Sequence, residues 1–373
     1  VPDKIFLTAL DLQGTGVHPQ AWRRADSRAE ELFTAAYWTE HLAEADRGGF
    51  DVAFLADSFE LQPESGTELG ILDAASIAAR AAAPTRSIGL IPTVTVTHTE
   101  PFHISKQIAS IDFASHGRAG WEVAVSQGDT QAAAFGRKKA QTPESLWREA
   151  DEAVEVVTRL WDSWEDDAEI RDVSTGRFID RDKLHYIEFH GENFSVKGPS
   201  ITPRSPQGQS IVVVRADSEF SGAVAASRAD VIRIAATDLD DAAAVAARVR
   251  RSLVAANRDP AEVYVVLDLE VLVSESAEQD LAQLDSWAPH EAQSASYIGD
   301  AAGLVQLLEE ISSSGAVDGV TLRPLAVASA VPVLAREVLP KLSWAGSRRE
   351  GLLRDRLGLA RPVDRYAPEG AQQ

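Results

Sequence analysis

The sequence predicts a single (β/α)8 barrel with insertions, and three observations carry that expectation. Strand-like and helix-like segments alternate along nearly the whole chain. Eight β-rich runs can be counted, each followed by a helical stretch. No G-x-G-x-x-G turn follows the first strand, where an open, doubly wound sheet would carry one. Helical crossovers make neighbouring strands parallel, and eight such units suit a closed ring.

The elements follow in order. KIFLTALDL (4–12) and FDVAFLAD (50–57) are the first two strands; between them, EELFTAAYWTEHLAEADRGG has apolar residues at helical spacing and stops at Gly48-Gly49. LGILDAASIAARAAA reads as a helix and SIGLIPTVTVT (87–97) as the third strand. Glu100-Pro101 opens the next helix, which leads to the fourth strand, RAGWEVAVS, and then to the amphipathic helix 147–164. Residues 165–209 are charged, then rich in Gly and Pro, and are expected to form an excursion with short hairpins. SIVVVRA (210–216), DVIRIAA (230–236), VYVVLDLEVLV (263–273) and GVTLRP (319–324) complete the eight strands. Helices are expected at 239–256, 300–314 and 327–342, with a helical, lid-like segment at 275–299. The barrel thus spans 1–342, and residues 343–373 form a tail expected to run over the surface.

Composition narrows the function. The net charge is −21, with 45% hydrophobic and 25% charged residues; such an acidic chain lacks the basic surface that nucleic acid requires. An anionic cofactor would need a locally positive pocket. Cysteine is absent, which excludes disulfides, zinc–thiolate sites and thiol nucleophiles, and no methionine occurs either. No apolar run reaches the roughly 20 residues of a membrane span, and VPDKIFLTALDLQG lacks the marks of a signal peptide. The expected location is cytoplasmic.

In barrels of this kind, ligands bind at the C-terminal ends of the strands. That rule selects Asp11, Gln13 and His18 after strand 1, Asp57 and Ser58 after strand 2, and Thr93, Thr95, Thr97 and His98 along strand 3. Strand 4 offers Glu122 and Ser126, while strands 5, 6 and 8 offer Arg215, Arg233 and Arg323. Three guanidinium groups at one mouth suit a phosphate or carboxylate; ion pairing with nearby carboxylates is the competing reading, and is favoured for Arg233. Asp57 is the strongest single acid, since a carboxylate ending a buried strand needs a partner. His18 is balanced between site base and loop residue. His185 and His190, spaced H-x4-H, are a weak zinc signal and read better as solvent-facing. No G-x-S-x-G, P-loop or H-E-x-x-H motif occurs.

RGGFDVAFLADS, TEPFHISKQIASIDFASHGRAGWEVAVS, AAFGR, READEAVEVVTRLWDSWEDDA, FHGENFSVKGP, PRSPQG and LRDRLGLARPVDRY together span nearly the whole chain. This set resembles the bacterial-luciferase-like flavin monooxygenases, in the nitrilotriacetate and dibenzothiophene-sulfone monooxygenase branch. The resemblance implies a barrel that takes reduced FMN from a separate NAD(P)H:flavin reductase and uses O2 to oxygenate a small organic substrate, often with C–N or C–S cleavage. It implies a dimer or tetramer, with Asp57, Thr93 and Ser126 in the flavin pocket, Ser218 at the phosphate and His18 as the catalytic residue towards the substrate. Glu122 stands where the family usually has Asn, Trp147 where it has Tyr, and Thr99 where it has Asn. The phosphate turn reads RADSEFSG, in which Arg215 would offset Asp217 and Glu219. Two other readings stay open: a flavin-free, non-catalytic subunit or binding protein, and a deazaflavin-dependent oxidoreductase.

Overall fold

A computed structural model describes residues 4–60, 70–345 and 351–366. Eight parallel strands form the barrel: β1 Leu7–Leu12, β2 Val52–Leu55, β3 Gly89–Thr95, β4 Gly120–Ala124, β5 Ile211–Arg215, β6 Val231–Ile234, β7 Tyr264–Val273 and β8 Gly319–Pro324. Each pairs with the next, and β8 pairs with β1, so the ring is closed. All eight strands read from the sequence are therefore present.

Alternation along each strand sorts the residues onto two faces. Leu10, Leu12, Ala53, Leu55, Val212 and Val214 pack outward against the helical layer. Leu7, Ala9, Val52, Phe54, Ile91, Ile211, Val213, Val231, Tyr264 and Val266 turn inward and form a second apolar cluster. The lower barrel is thus a packed core, which leaves the upper rim for a ligand.

One stretch of the tail, around Leu353–Leu359, does not run over the surface as the sequence reading expected. Leu353 and Leu357 are fully buried within the inner cluster, so the tail seals the floor of the barrel. Tyr264 Oη donates to the Leu357 carbonyl at 2.7 Å, and Arg354 reaches Asp230 at 2.7 Å and the Gln209 carbonyl at 2.6 Å. Gly89 permits the approach: a Cβ there would lie 2.7 Å from a Leu353 methyl.

The excursion 165–209 folds as two small hairpins, Glu169–Asp172 with Arg177–Ile179 and Phe189–His190 with Ser195–Val196. The second is pinned to helix Pro143–Asp162, where Glu152 accepts from the backbone amides of Glu192 and Asn193 at 2.8 Å each. His185 bonds Glu165 and His190 bonds Ser195, each at 2.8 Å. Among the described residues, no group of His and acidic side chains could hold a metal.

The segment 275–299 holds helix Ala277–Trp287 and then a strand the sequence reading missed, Ser296–Gly299. That strand pairs with Glu270–Val273 of β7. The reason is length: β6 covers β7 only from Tyr264 to Leu267, and the longer strand would otherwise leave an open edge. The last helix is also shorter than expected. Val327–Val333 gives way to a π turn at Leu334–Val338 and a 3-10 turn at Leu339–Lys341, since Pro332 and Pro340 lack the amide a continuous helix needs.

Candidate active site

The inward alternation continues to the rim, where the side chains become ionic. Asp11 ends this row on β1, Glu122 on β4, Arg215 on β5 and Arg233 on β6; β7 supplies Asp268 and Glu270, and β8 supplies Arg323. Arg233 is the hub, at 2% exposure. It donates to Asp11 at 2.6 Å, Glu122 at 2.7 Å and Asp268 at 2.9 and 3.1 Å, and its guanidinium lies 4.3 Å over the Phe54 ring. Arg323 pairs with Asp11 at 3.3 Å and Glu270 at 3.4 Å, and Glu270 bonds His290 at 2.7 Å. Arg215 pairs with Asp268 at 3.3 Å and Asp217 at 3.4 Å.

Burial acts on these groups unequally. It opposes ionisation of Asp11, yet the Arg233 and Arg323 guanidiniums hold that carboxyl below its usual range. At Glu122 burial wins over Arg233 and Arg215, with Asp11 adding repulsion, so its carboxyl is pushed up. Glu122 is therefore more ready to accept a proton than an ordinary glutamate. Glu270 sits lower than usual because hydrogen bonds from His290 and the Gln293 amide outweigh burial.

Beside this layer, the ends of β2 to β4 make a second environment. Asp57 follows β2 and accepts from the Ala74 amide at 2.9 Å. Burial, helped by the nearby Asp73 charge, outweighs the backbone hydrogen bonds from Ala74 and Ser58 and raises its carboxyl to about 6. Thr93 Oγ1 contacts Glu122 at 3.5 Å. The Ser126 amide donates to Thr97 Oγ1 at 2.9 Å, while Ser126 Oγ and His98 Nδ1 are buried without a hydrogen-bond partner. The His98 ring stacks on Phe135 at 4.4 Å, and Phe135 meets Phe59 at 4.6 Å. Buried polar atoms left unpaired beside an aromatic wall are what a ligand would satisfy.

Asp57 yields a pH prediction. A folded-state pKa above the ordinary 3.8 means the folded chain holds a proton the unfolded one has released. Stability is therefore lost as pH rises from that value through about 6. Asp57→Asn should raise the urea midpoint at about pH 7, and the gain should vanish near pH 4. Equal shifts at both pH values would refute the assignment.

On the opposite side of the rim, His18 is fully buried. Its Nδ1 accepts from the Gln20 amide at 3.1 Å, and Nε2 faces Asp285 at 3.2 Å. An accepting Nδ1 fixes a neutral ring with the proton on Nε2, in keeping with burial lowering its pKa. The His290 ring lies 5.4 Å away. Sequence reasoning missed His290, Asp268 and Glu270. The alternation Asp268-Leu-Glu270 inside an apolar strand was a visible signal for the last two, whereas His290 gave none.

The structure thus brings Thr93, Glu122 and Arg215 into one network through Arg233 and Asp268, with Asp57 and Ser126 on neighbouring strand ends and His18 across the rim. Two other predicted residues are used differently. Ser218 caps helix Glu219–Arg228 in a reciprocal box with Ser221. Trp147 lines a groove between that helix and Pro143–Asp162, with Arg148, Phe220 and Ala223.

Comparison with known proteins agrees with this architecture. The model of the luciferase-like monooxygenase family matches residues 12–331. The N-acetyl-S-(2-succino)cysteine monooxygenase of Bacillus subtilis (strain 168) is 30% identical across 95% of this chain and 97% of its own length. The dibenzothiophene-sulfone monooxygenase of Rhodococcus erythropolis is 32% identical across 71% of this chain and 62% of its own. The structure of an EDTA monooxygenase from Chelativorans sp. BNC1 superposes with a TM-score of 0.84 at 22% identity, over 96% of this chain and 99% of that one, and shares the fold. A closed barrel and a family match over most of its length leave one conclusion: the chain belongs to the luciferase-like monooxygenase family.

Proposed function

We propose that the chain is the oxygenating component of a two-component system, taking reduced flavin from a separate NAD(P)H:flavin reductase and oxygenating a small organic substrate with O2. The observation that carries this reading is the group of unpaired buried polar atoms, Ser126 Oγ and His98 Nδ1, beside Asp57 and the Phe59–Phe135 wall. A flat, partly polar ring needs that combination of apolar wall and sparse hydrogen-bonding groups. The flavin ring therefore fits at the ends of β2 to β4. The phosphate would meet the turn after β5, where Arg215 lies 3.4 Å from Asp217 and Glu219 opens the helix.

Reduced flavin, if held by Asp57, Thr93 and Ser126, would supply the two electrons by which one atom of O2 enters the substrate and the other leaves as water. The chain's own residues position and shield. Phe59, His98 and Phe135 would give the ring an apolar face to pack on. Asp57, with its carboxyl near 6, exchanges a proton close to neutral pH. Neutral His18, with Nε2–H on Asp285 and Nδ1 on the Gln20 amide, would position Asp285 at this side of the rim. Thr93 and Glu122 form the floor, and Arg233 holds Glu122 in place.

Anaerobic titration with reduced FMN, read by quenching of tryptophan fluorescence, should give micromolar or tighter binding, about −8 kcal/mol or stronger. Absence of quenching and of calorimetric heat would leave the flavin-free, non-catalytic reading standing.

A further inference from the structure

We infer that Asp285 is the group that meets the substrate on the His18 side of the rim, selecting a protonated amine, and that His18 is the residue that positions it. The inference rests on the flavin reading above and deepens it by naming a substrate class for the same site.

His18 stands after β1, where a substrate-facing base was expected, yet its ring is fully buried. Both nitrogens are in use: Nδ1 accepts from the Gln20 amide at 3.1 Å, and Nε2–H meets Asp285 Oδ1 at 3.2 Å. Burial keeps the ring neutral, so it supplies a hydrogen bond and no charge. A side chain enclosed in this way acts only through its neighbour.

Asp285 is that neighbour, with a side chain 40% exposed. The His290 amide donates to the same oxygen, Oδ1, at 3.2 Å. Two donors on one oxygen orient the carboxylate and leave Oδ2 without a hydrogen bond among the described residues. The supporting helix, Ala277–Trp287, is itself seated by Leu281 and Leu284 against Leu272 of β7 and Leu325 after β8. Among the described residues, no lysine or arginine pairs with Asp285. Arg24 is bound to Asp26 and Asp280, and Arg23 lies over the Trp287 ring at 4.5 Å.

The surroundings share that bias. Asp11 and Glu270 divide Arg323 between them, and His290 Nε2 is spent on Glu270. Asp11 also reaches Arg233, yet its Oδ1 is buried with no hydrogen-bond partner. Around the rim, Asp11, Glu122, Asp217, Asp268, Glu270 and Asp285 outnumber Arg215, Arg233 and Arg323 by two to one. A mouth with such a field attracts cations. An oriented carboxylate oxygen without a cation suits an ammonium group, which brings both the missing charge and N–H donors.

The test uses three probes of one shape, benzylammonium, benzyl alcohol and phenylacetate, titrated calorimetrically into the full chain loaded anaerobically with reduced FMN. Benzylammonium should bind at least about tenfold tighter than benzyl alcohol, the usual worth of a charge-assisted hydrogen bond, and phenylacetate should bind weakest. Asp285→Asn should bring benzylammonium to within about threefold of benzyl alcohol and leave FMN affinity unchanged. His18→Leu should weaken benzylammonium alone, and His18→Gln, which restores an N–H donor, should recover most of the loss. A purely structural role for His18 would instead weaken benzylammonium and benzyl alcohol together, and that result would overturn its positioning role. Should His18→Leu not fold, Asp285→Asn and His18→Gln still decide the matter. FMN binding without benzylammonium binding, phenylacetate binding as tightly as benzylammonium, or an ammonium preference that survives Asp285→Asn would overturn the inference and leave the flavin reading intact. Failure of FMN itself to bind would overturn both.

Discussion

Arg233→Ala is expected to lower the stability of the folded chain by about 3–5 kcal/mol, the usual penalty for removing one partner of a buried ionic cluster. Three carboxylates, Asp11, Glu122 and Asp268, would be left facing one another at the top of the barrel. Arg323 and Arg215 contact Asp11 and Asp268 but leave Glu122 with no direct cation. The truncated side chain would also open a cavity above Phe54, whose ring it covers at 4.3 Å. Arg233→Lys should recover only part of the loss, because a single ammonium cannot reproduce a fork that reaches three acids. Adding Glu122→Gln to Arg233→Ala should recover part of the loss, since it removes the carboxyl that burial already disfavours. Urea midpoints for the set check this, and an additive double variant would show that the residues are not coupled.

Leu353→Ala should cost about 2–5 kcal/mol, the range for deleting a fully buried leucine. The effect follows from its place inside the barrel floor, against the inner faces of the strands. Val363→Ala, ten residues further along the same tail and 64% exposed, should stay within about 0.5 kcal/mol of the unchanged chain. A tail lying on the surface would give two small and similar values.

The contrast marks what the sequence could reveal. The eight strands were legible because β-branched runs such as IVVV at 211–214 and YVV at 264–266 allow little else. The tail was misread because Arg354 and Arg356, in LRDRLGL, look like a solvated face. They are instead buried, with Arg354 on Asp230 and Arg356 on the Asp51 and Ser87 carbonyls. Arginine carries both a long apolar stem and five donors, so its presence says little about exposure. The rim was half legible. Arg215, Arg233 and Glu122 could each be placed at a strand end, yet Asp11 and Arg233 lie 222 positions apart in sequence. Only closure of the ring makes them neighbours. Asp57 was readable as a lone acid, whereas the His98–Phe135 stack depends on Asp129–Phe135 being helical, in a stretch that gave no periodic signal.

The charged rim also constrains how this protein can change over generations. Each of its members leans on at least one other, so a lone exchange to an apolar residue strands a buried charge, whereas a concerted swap of the whole set for well-packed apolar side chains need not be harmful. Descendants are thus expected to keep the assembly entire or to lack it entire, with few intermediates between. Laboratory evolution aimed at remodelling this mouth should mutate these positions together in one library, because stepwise selection would discard the first step of every useful path.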